Sequence, residues 1–149
     1  MKADFIDFAN PKGYAKVSPF GPYERAVDFY GDGSLYLVDS PGHLLGHLAA
    51  AARIAPNSFL FLAGDTCHNR ICYSPGERLI SELNHMDIET ARHTVKRLVK
   101  LNDEYPNVII MIAHDAELAK QMPFFPSSDL KDWALAEIER RRKVSQGAQ

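Results

Sequence analysis

The sequence predicts an α/β fold, a largely apolar mixed sheet with helices laid on one side of it. Three observations carry this. Residues 58–63 and 108–113 are short apolar runs of strand length, each closed by polar turn formers. Residues 88–104 show a clear helical period. The elements follow the order strand, strand, strand, helix, strand, helix, helix, the alternation of a layered α/β domain.

The 149 residues suit one domain, with 46% hydrophobic and 24% charged residues and a formal net charge of -2. Acidic and basic residues are interspersed, so the stripe that nucleic-acid binding requires is absent; the run Arg140 to Lys143 complements a helix C-terminus instead. Cys67 and Cys72 fit neither a disulfide framework nor a zinc motif and read as reduced thiols. No apolar run follows Met1, and no segment has the length of a membrane span. The expected setting is the cytoplasm, with neither nucleic acid nor membrane as partner.

Residues 1–33 hold four Gly, three Pro and the aromatics Phe5, Phe8, Tyr14, Phe20, Tyr23, Phe29 and Tyr30 without a clear period. They read as an irregular N-terminal linker draped over something larger, ending in the turn Gly31-Asp32-Gly33. The sheet and helices then occupy residues 34–143, and 144–149 form a disordered tail. Leu35 to Asp39 is a strand followed by the turn Ser40-Pro41-Gly42-His43. His47 to Ile54 fits strand or helix, and the turns on either side favour a short strand. Ser58 to Ala63 is a buried strand stopping at Gly64-Asp65, after which 66–84 is a long loop with room for a short helix at Pro75 to Leu83.

Asp87 can cap a helix from Ile88 to Glu104, with Ile88, Ala91, Val95, Leu98 and Val99 on its apolar face. Val108 to Ala113 is a fully apolar strand ending at His114-Asp115, with Asp115 a possible N-cap for the short helix that runs to Pro123. A last helix from Asp129 to about Lys143 packs Leu130, Trp133, Ala134 and Ile138. Strands as apolar as these expect cover on both faces, and the helices of this chain cover only one.

Three polar residues share a position type. His43, Asp65 and His114 each stand where an apolar strand passes into a loop, and strand ends are where distant side chains converge in layered α/β folds. Imidazole and carboxylate suit Zn, Fe or Mn, and a carboxylate can bridge two ions. Singly, a turn histidine, a turn aspartate and a histidine beside a helix cap need no metal. Together they make a candidate divalent-metal site.

The segment Asp32-Gly33-Ser34-Leu35-Tyr36-Leu37-Val38-Asp39-Ser40-Pro41-Gly42-His43-Leu44-Leu45-Gly46-His47 resembles the Pro-Gly-His-x-x-Gly-His element of metallo-β-lactamase-fold hydrolases, in the flavour of fungal, lactonase-like relatives. Leu62-Ala63-Gly64-Asp65 resembles their Gly-Asp element, and Ile112-Ala113-His114-Asp115 their last metal-binding histidine. The resemblance runs from about Phe5 to Trp133. It implies one half of an αββα sandwich. His43 then binds the first metal, Asp65 bridges both, and His114 binds the second. It also implies a metal-dependent hydrolase acting on a small lactone or ester, with zinc as the expected ion. His47 matches a histidine that is not a ligand. His68 stands where some lactonases place a tyrosine, which makes it a candidate catalytic or substrate-touching residue. His85 and His93 read as ordinary loop and helix-surface residues.

The family's His-x-His-x-Asp-His motif should precede His43, yet no His-x-His occurs in the sequence. With two protein ligands per ion, the expectation is a truncated, weakly active or inactive hydrolase, whose enzyme status stays open. The missing half would also supply the second sheet. One alternative is a non-enzymatic fold remnant that covers its open sheet as a homo-dimer. The other is a metallophosphoesterase-like enzyme, which would use Gly64-Asp65, a late histidine and Asn84-His85.

Overall fold

In the computed structural model the described residues are 6–8, 16–76, 78–124 and 126–147, with side chains described to residue 143 in the last helix. Six strands form one sheet in sequence order: β1 (Val17–Phe20), β2 (Tyr23–Asp28), β3 (Leu35–Asp39), β4 (Leu48–Ala55), β5 (Ser58–Gly64) and β6 (Val108–Ile112). Neighbours are antiparallel except β5 and β6, which pair in parallel. A parallel pair needs a crossover, and helix α1 (Ile88–Glu104) supplies it. Helices α2 (Ala116–Gln121) and α3 (Leu130–Gly147) follow β6.

This topology sets the directions that matter. β3 and β5 are both antiparallel to β4, and β6 is parallel to β5. The three strands therefore run the same way, and the loops leaving them meet along one end of the sheet.

Side-chain alternation assigns the two faces. Phe59, Phe61 and Ala63 of β5, with Val108, Ile110 and Ile112 of β6, face α1, whose Ala91, Val95, Leu98 and Leu101 complete one core. Phe20, Tyr23, Tyr36, Phe59 and Phe61 form a chain of ring contacts in the same layer, with centroids 5.2–6.0 Å apart. Asp87 caps α1, its carboxylate accepting from Thr90 N at 3.0 Å. Residues of opposite parity, Leu60, Ile109 and Met111, pack with Ile54 against Trp133, Ala134 and Ile138 of α3.

Four expectations need correction. Residues 17–28 are not linker: β1 and β2 extend the sheet, because Phe20, Tyr23 and Ala26 find places in the core that no local period announces. Phe5 and Tyr14 lie outside the described residues. Among its described residues, the 66–84 loop has two one-turn 3₁₀ segments, Arg70–Cys72 and Glu82–Asn84, in place of the expected helix; Asn69 and Ser81 cap them by accepting from Ile71 N and Leu83 N. The helices are not confined to one face, since α3 covers the β5–β6 end of the second, where Leu60 and Ile109 need apolar contact. Finally, α3 continues to Gly147, into the expected tail, whose last two residues are outside the described set. No helix among the described residues is long and apolar enough to cross a membrane.

Candidate metal centre

The three sequence-predicted residues meet at the common end of β3, β5 and β6. Gly42 (φ +124) lets the β3–β4 loop lie directly on α1, where any Cβ would fall 2.3 Å from Ala91 N. That loop is tied down on several sides. Thr94 Oγ1 donates to Pro41 O at 2.7 Å, Asp87 N to Gly42 O at 3.1 Å, and Met86 N to His43 O at 3.0 Å. His43 is thereby held against residues 84–87, and its Nδ1 lies 2.8 Å from Asn84 O. A carbonyl only accepts, so Nδ1 carries the proton and the Nε2 lone pair is free. A backbone carbonyl behind a metal-ligating imidazole is the usual way its tautomer is fixed.

Asp65 follows Gly64 (φ +55), where β5 breaks into a tight turn closed by Thr66 Oγ1 donating to Ala63 O at 2.7 Å. Ala113 N donates to Gly64 O at 3.0 Å, which sets the end of β6 beside the end of β5. His114 Nε2 then lies 2.9 Å from Asp65 Oδ1, while His43 Nε2 stands 4.0 Å from Asp65 Oδ2. The two carboxylate oxygens face different histidines from different strands.

His47 has another task. Its Nε2 accepts from Asp65 N at 3.1 Å, which requires the proton on Nδ1, and Nδ1 lies 2.8 Å from Ser40 O. Both ring nitrogens are engaged in holding the two loops together, so His47 positions Asp65 and has no lone pair to offer an ion.

Two further histidines join the cluster. His68 Nε2 is 3.7 Å from Asp65 Oδ1, and its ring lies 4.8 Å from that of His114 and 5.3 Å from that of His43. His85, read from sequence as an ordinary loop residue, is 8% exposed, with rings of His43 and His68 at 5.4 and 5.3 Å. Neither of its ring nitrogens has a partner. The sequence signal was available only in retrospect, since Asn84, beside His85, carries the carbonyl that orients His43. Burial lowers the pKa of both His68 and His85; the neighbouring histidines add to this, while Asp65 opposes it. His93 sits exposed on α1, as expected, and takes no part. Cys67 and Cys72 are free and buried, and burial pushes the Cys67 thiol up to about 12, which makes it inert.

The residues present suit a divalent cation. His43, Asp65 and His68 offer ligand atoms that all lie within 4.8 Å of one another. Buried, unpartnered His85 marks the same spot as one where polar company is wanted.

No protein-family model matches the sequence. The cytochrome P450 monooxygenase mpaDE' of Penicillium brevicompactum is 32% identical over 154 residues, which cover 89% of this chain and 17% of that protein. The γ-lactamase MBL2 of Gibberella moniliformis is 50% identical over 66 residues, covering 43% of this chain and 26% of its own. Among solved structures, an N-acyl homoserine lactone hydrolase with N-hexanoyl-L-homoserine bound at its catalytic metal centre superimposes with a TM-score of 0.53. It is 24% identical and covers 63% of this chain and 36% of that one. The chain thus spans a minor part of each of these three proteins. The lactonase superposition shows the fold: the chain has the α/β architecture of one half of a metallo-β-lactamase-fold sandwich.

Proposed function

We propose that this chain contributes part of a divalent-metal centre that hydrolyses a small cyclic ester or amide, with His43, Asp65 and His114 as ligands and zinc as the ion. Iron and manganese suit the same donors. The observation that carries the reading is the carboxylate of Asp65, whose two oxygens face His43 and His114 from separate strands. The chain's own residues prepare the site before any ion arrives. Asn84 O leaves the Nε2 lone pair of His43 free. His47 fixes the Asp65 backbone, and His114 holds a proton against Asp65 that it must give up to become a ligand. A bound divalent ion would supply Lewis acidity, polarising a scissile carbonyl and lowering the pKa of water. The lactone hydrolase and γ-lactamase relatives favour ring-opening of a lactone or lactam as the reaction.

The test joins this chain to a metallo-β-lactamase half carrying His-x-His-x-Asp-His, loads zinc, and measures hydrolysis of lactones and γ-lactams. The expected result is turnover with the joined protein, little with this chain alone, and loss on His114→Ala. Full activity in the alanine variant would overturn the site assignment.

A second reading is favoured by the exposed Leu48 and Leu62 on the second sheet face, 38% and 43% accessible. In it the chain is a non-enzymatic remnant that buries this face against a second copy. Solution mass separates the readings, since a monomer at high concentration counts against self-pairing.

A further inference from the structure

The geometry points to His68 as a metal ligand that closes a three-residue site with His43 and Asp65, built by this chain alone. The inference rests on the metal centre proposed above, but it changes which residues complete that centre. Two protein ligands leave an ion weakly held, whereas three with an open position are the pattern of catalytic zinc.

Spacing comes first. His68 Nε2 lies 3.7 Å from Asp65 Oδ1, and His43 Nε2 lies 4.0 Å from Asp65 Oδ2. Both are too long for hydrogen bonds, so hydrogen bonding does not explain the approach. Ligand atoms about 2.0–2.1 Å from a tetrahedral zinc are about 3.4 Å apart, so small side-chain rotations bring these atoms into place. His114 differs in kind. Its Nε2 is hydrogen-bonded to Asp65 at 2.9 Å, and its side chain is 57% exposed against 25% for His68 and 19% for His43.

Local structure explains why His68 projects here. Cys67, fully buried, anchors the chain on one side of it, and Asn69 turns the chain into the 3₁₀ segment on the other by accepting from Ile71 N at 2.9 Å. His85 is an independent observation. It is buried, both its ring nitrogens are unpartnered, and its ring stands 5.3 Å from His68 and 5.4 Å from His43. A buried imidazole without a partner is costly, and a hydrated cation between His43 and His68 would give it one.

The experiment is equilibrium dialysis of the 149-residue chain against Co(II), read by metal content and by the visible d–d spectrum. The set comprises the unaltered chain, His43→Ala, Asp65→Ala, His68→Ala, His68→Cys and the control His93→Ala, with circular dichroism to confirm folding. One ion per chain is expected, its affinity falling by at least about tenfold in His68→Ala and staying within a few-fold in His93→Ala, which alters an exposed histidine of α1 outside the site. His68→Cys should retain the ion and add a thiolate-to-cobalt charge-transfer band in the near ultraviolet. If His68→Ala binds like the unaltered chain and His68→Cys lacks the band, while His43→Ala and Asp65→Ala lose the ion, His68 is not a ligand and the proposed metal centre survives without it. If the unaltered chain takes up no cobalt, the inference falls and the proposed centre is decided by the joined protein; if cobalt binds and neither His43→Ala, Asp65→Ala nor His68→Ala weakens it, both fall.

Discussion

The two faces of the sheet are built from equally apolar strands but end in different states. On the α1 face, Ala26, Val38, Ala51, Phe61 and Leu98 are each fully buried, and aromatic rings from four strands lock together. On the second face α3 covers the β5–β6 end, while Leu48 and Leu62 remain accessible. The contrast shows how sequence distance shapes packing. α1 is the β5–β6 crossover, so connectivity obliges it to lie against the sheet. α3 has no such constraint and covers only the β5–β6 end, with Ile54 of β4 at its margin.

Truncation should expose the difference. The largest effect is expected for Leu98→Ala, which leaves a cavity in the sealed layer and should cost about 3–4 kcal/mol in urea unfolding. Leu62→Ala removes the same atoms from the second face and should cost less than about 1 kcal/mol. Equal losses would mean that the faces are equivalent. A middle value is expected for Ile138→Ala in α3, about 2–3 kcal/mol, because Ile138 is 2% exposed but its cluster is small. If hydrogen exchange shows α3 opening independently of the sheet, the cost will appear as local opening and not as a lower global midpoint.

The smallest effect concerns the charges that hold α3 in place. Glu137 accepts from Arg140 at 2.6 and 2.7 Å and from Arg141 at 3.2 Å, and Arg141 also reaches Val108 O on the free edge of β6. The Arg140 hydrogen bonds, with help from Arg141, hold the Glu137 carboxyl below its ordinary value of 4.5. A lowered folded pKa means that the unfolded chain binds the proton more readily. The stabilisation is present above pH 4.5 and is lost as the pH falls through the folded value. Glu137→Gln should therefore cost about 0.5–1 kcal/mol near neutrality and nothing at the acid end, as read from paired thermal melts.

Much of the fold was legible locally. The α1 boundaries follow from Asp87 as cap and from apolar residues at helical spacing, both properties of neighbouring residues. β3, β5 and β6 were legible as short apolar runs bounded by turns. β1 and β2 were not, because Pro19, Gly21 and Pro22 sit among their residues and only the core partners of Phe20 and Tyr23 make a hairpin of them.

At the site the division is similar. Residue type and strand-end position singled out His43, Asp65 and His114, and the structure brings all three together. His68 and His85 stand in an irregular loop with no period to read, and their place beside Asp65 depends on how that loop folds back. The sequence by itself determined the α/β class, the order of the main elements and the chemical character of the strand-end residues, since caps, periods and turns act over a few residues. Only the tertiary structure decided that three imidazoles face the Asp65 carboxylate with His85 packed behind two of them, that His47 spends both nitrogens on the backbone, and that α3 lies on the far face. Those outcomes depend on contacts between residues far apart in the chain, and no local pattern encodes them.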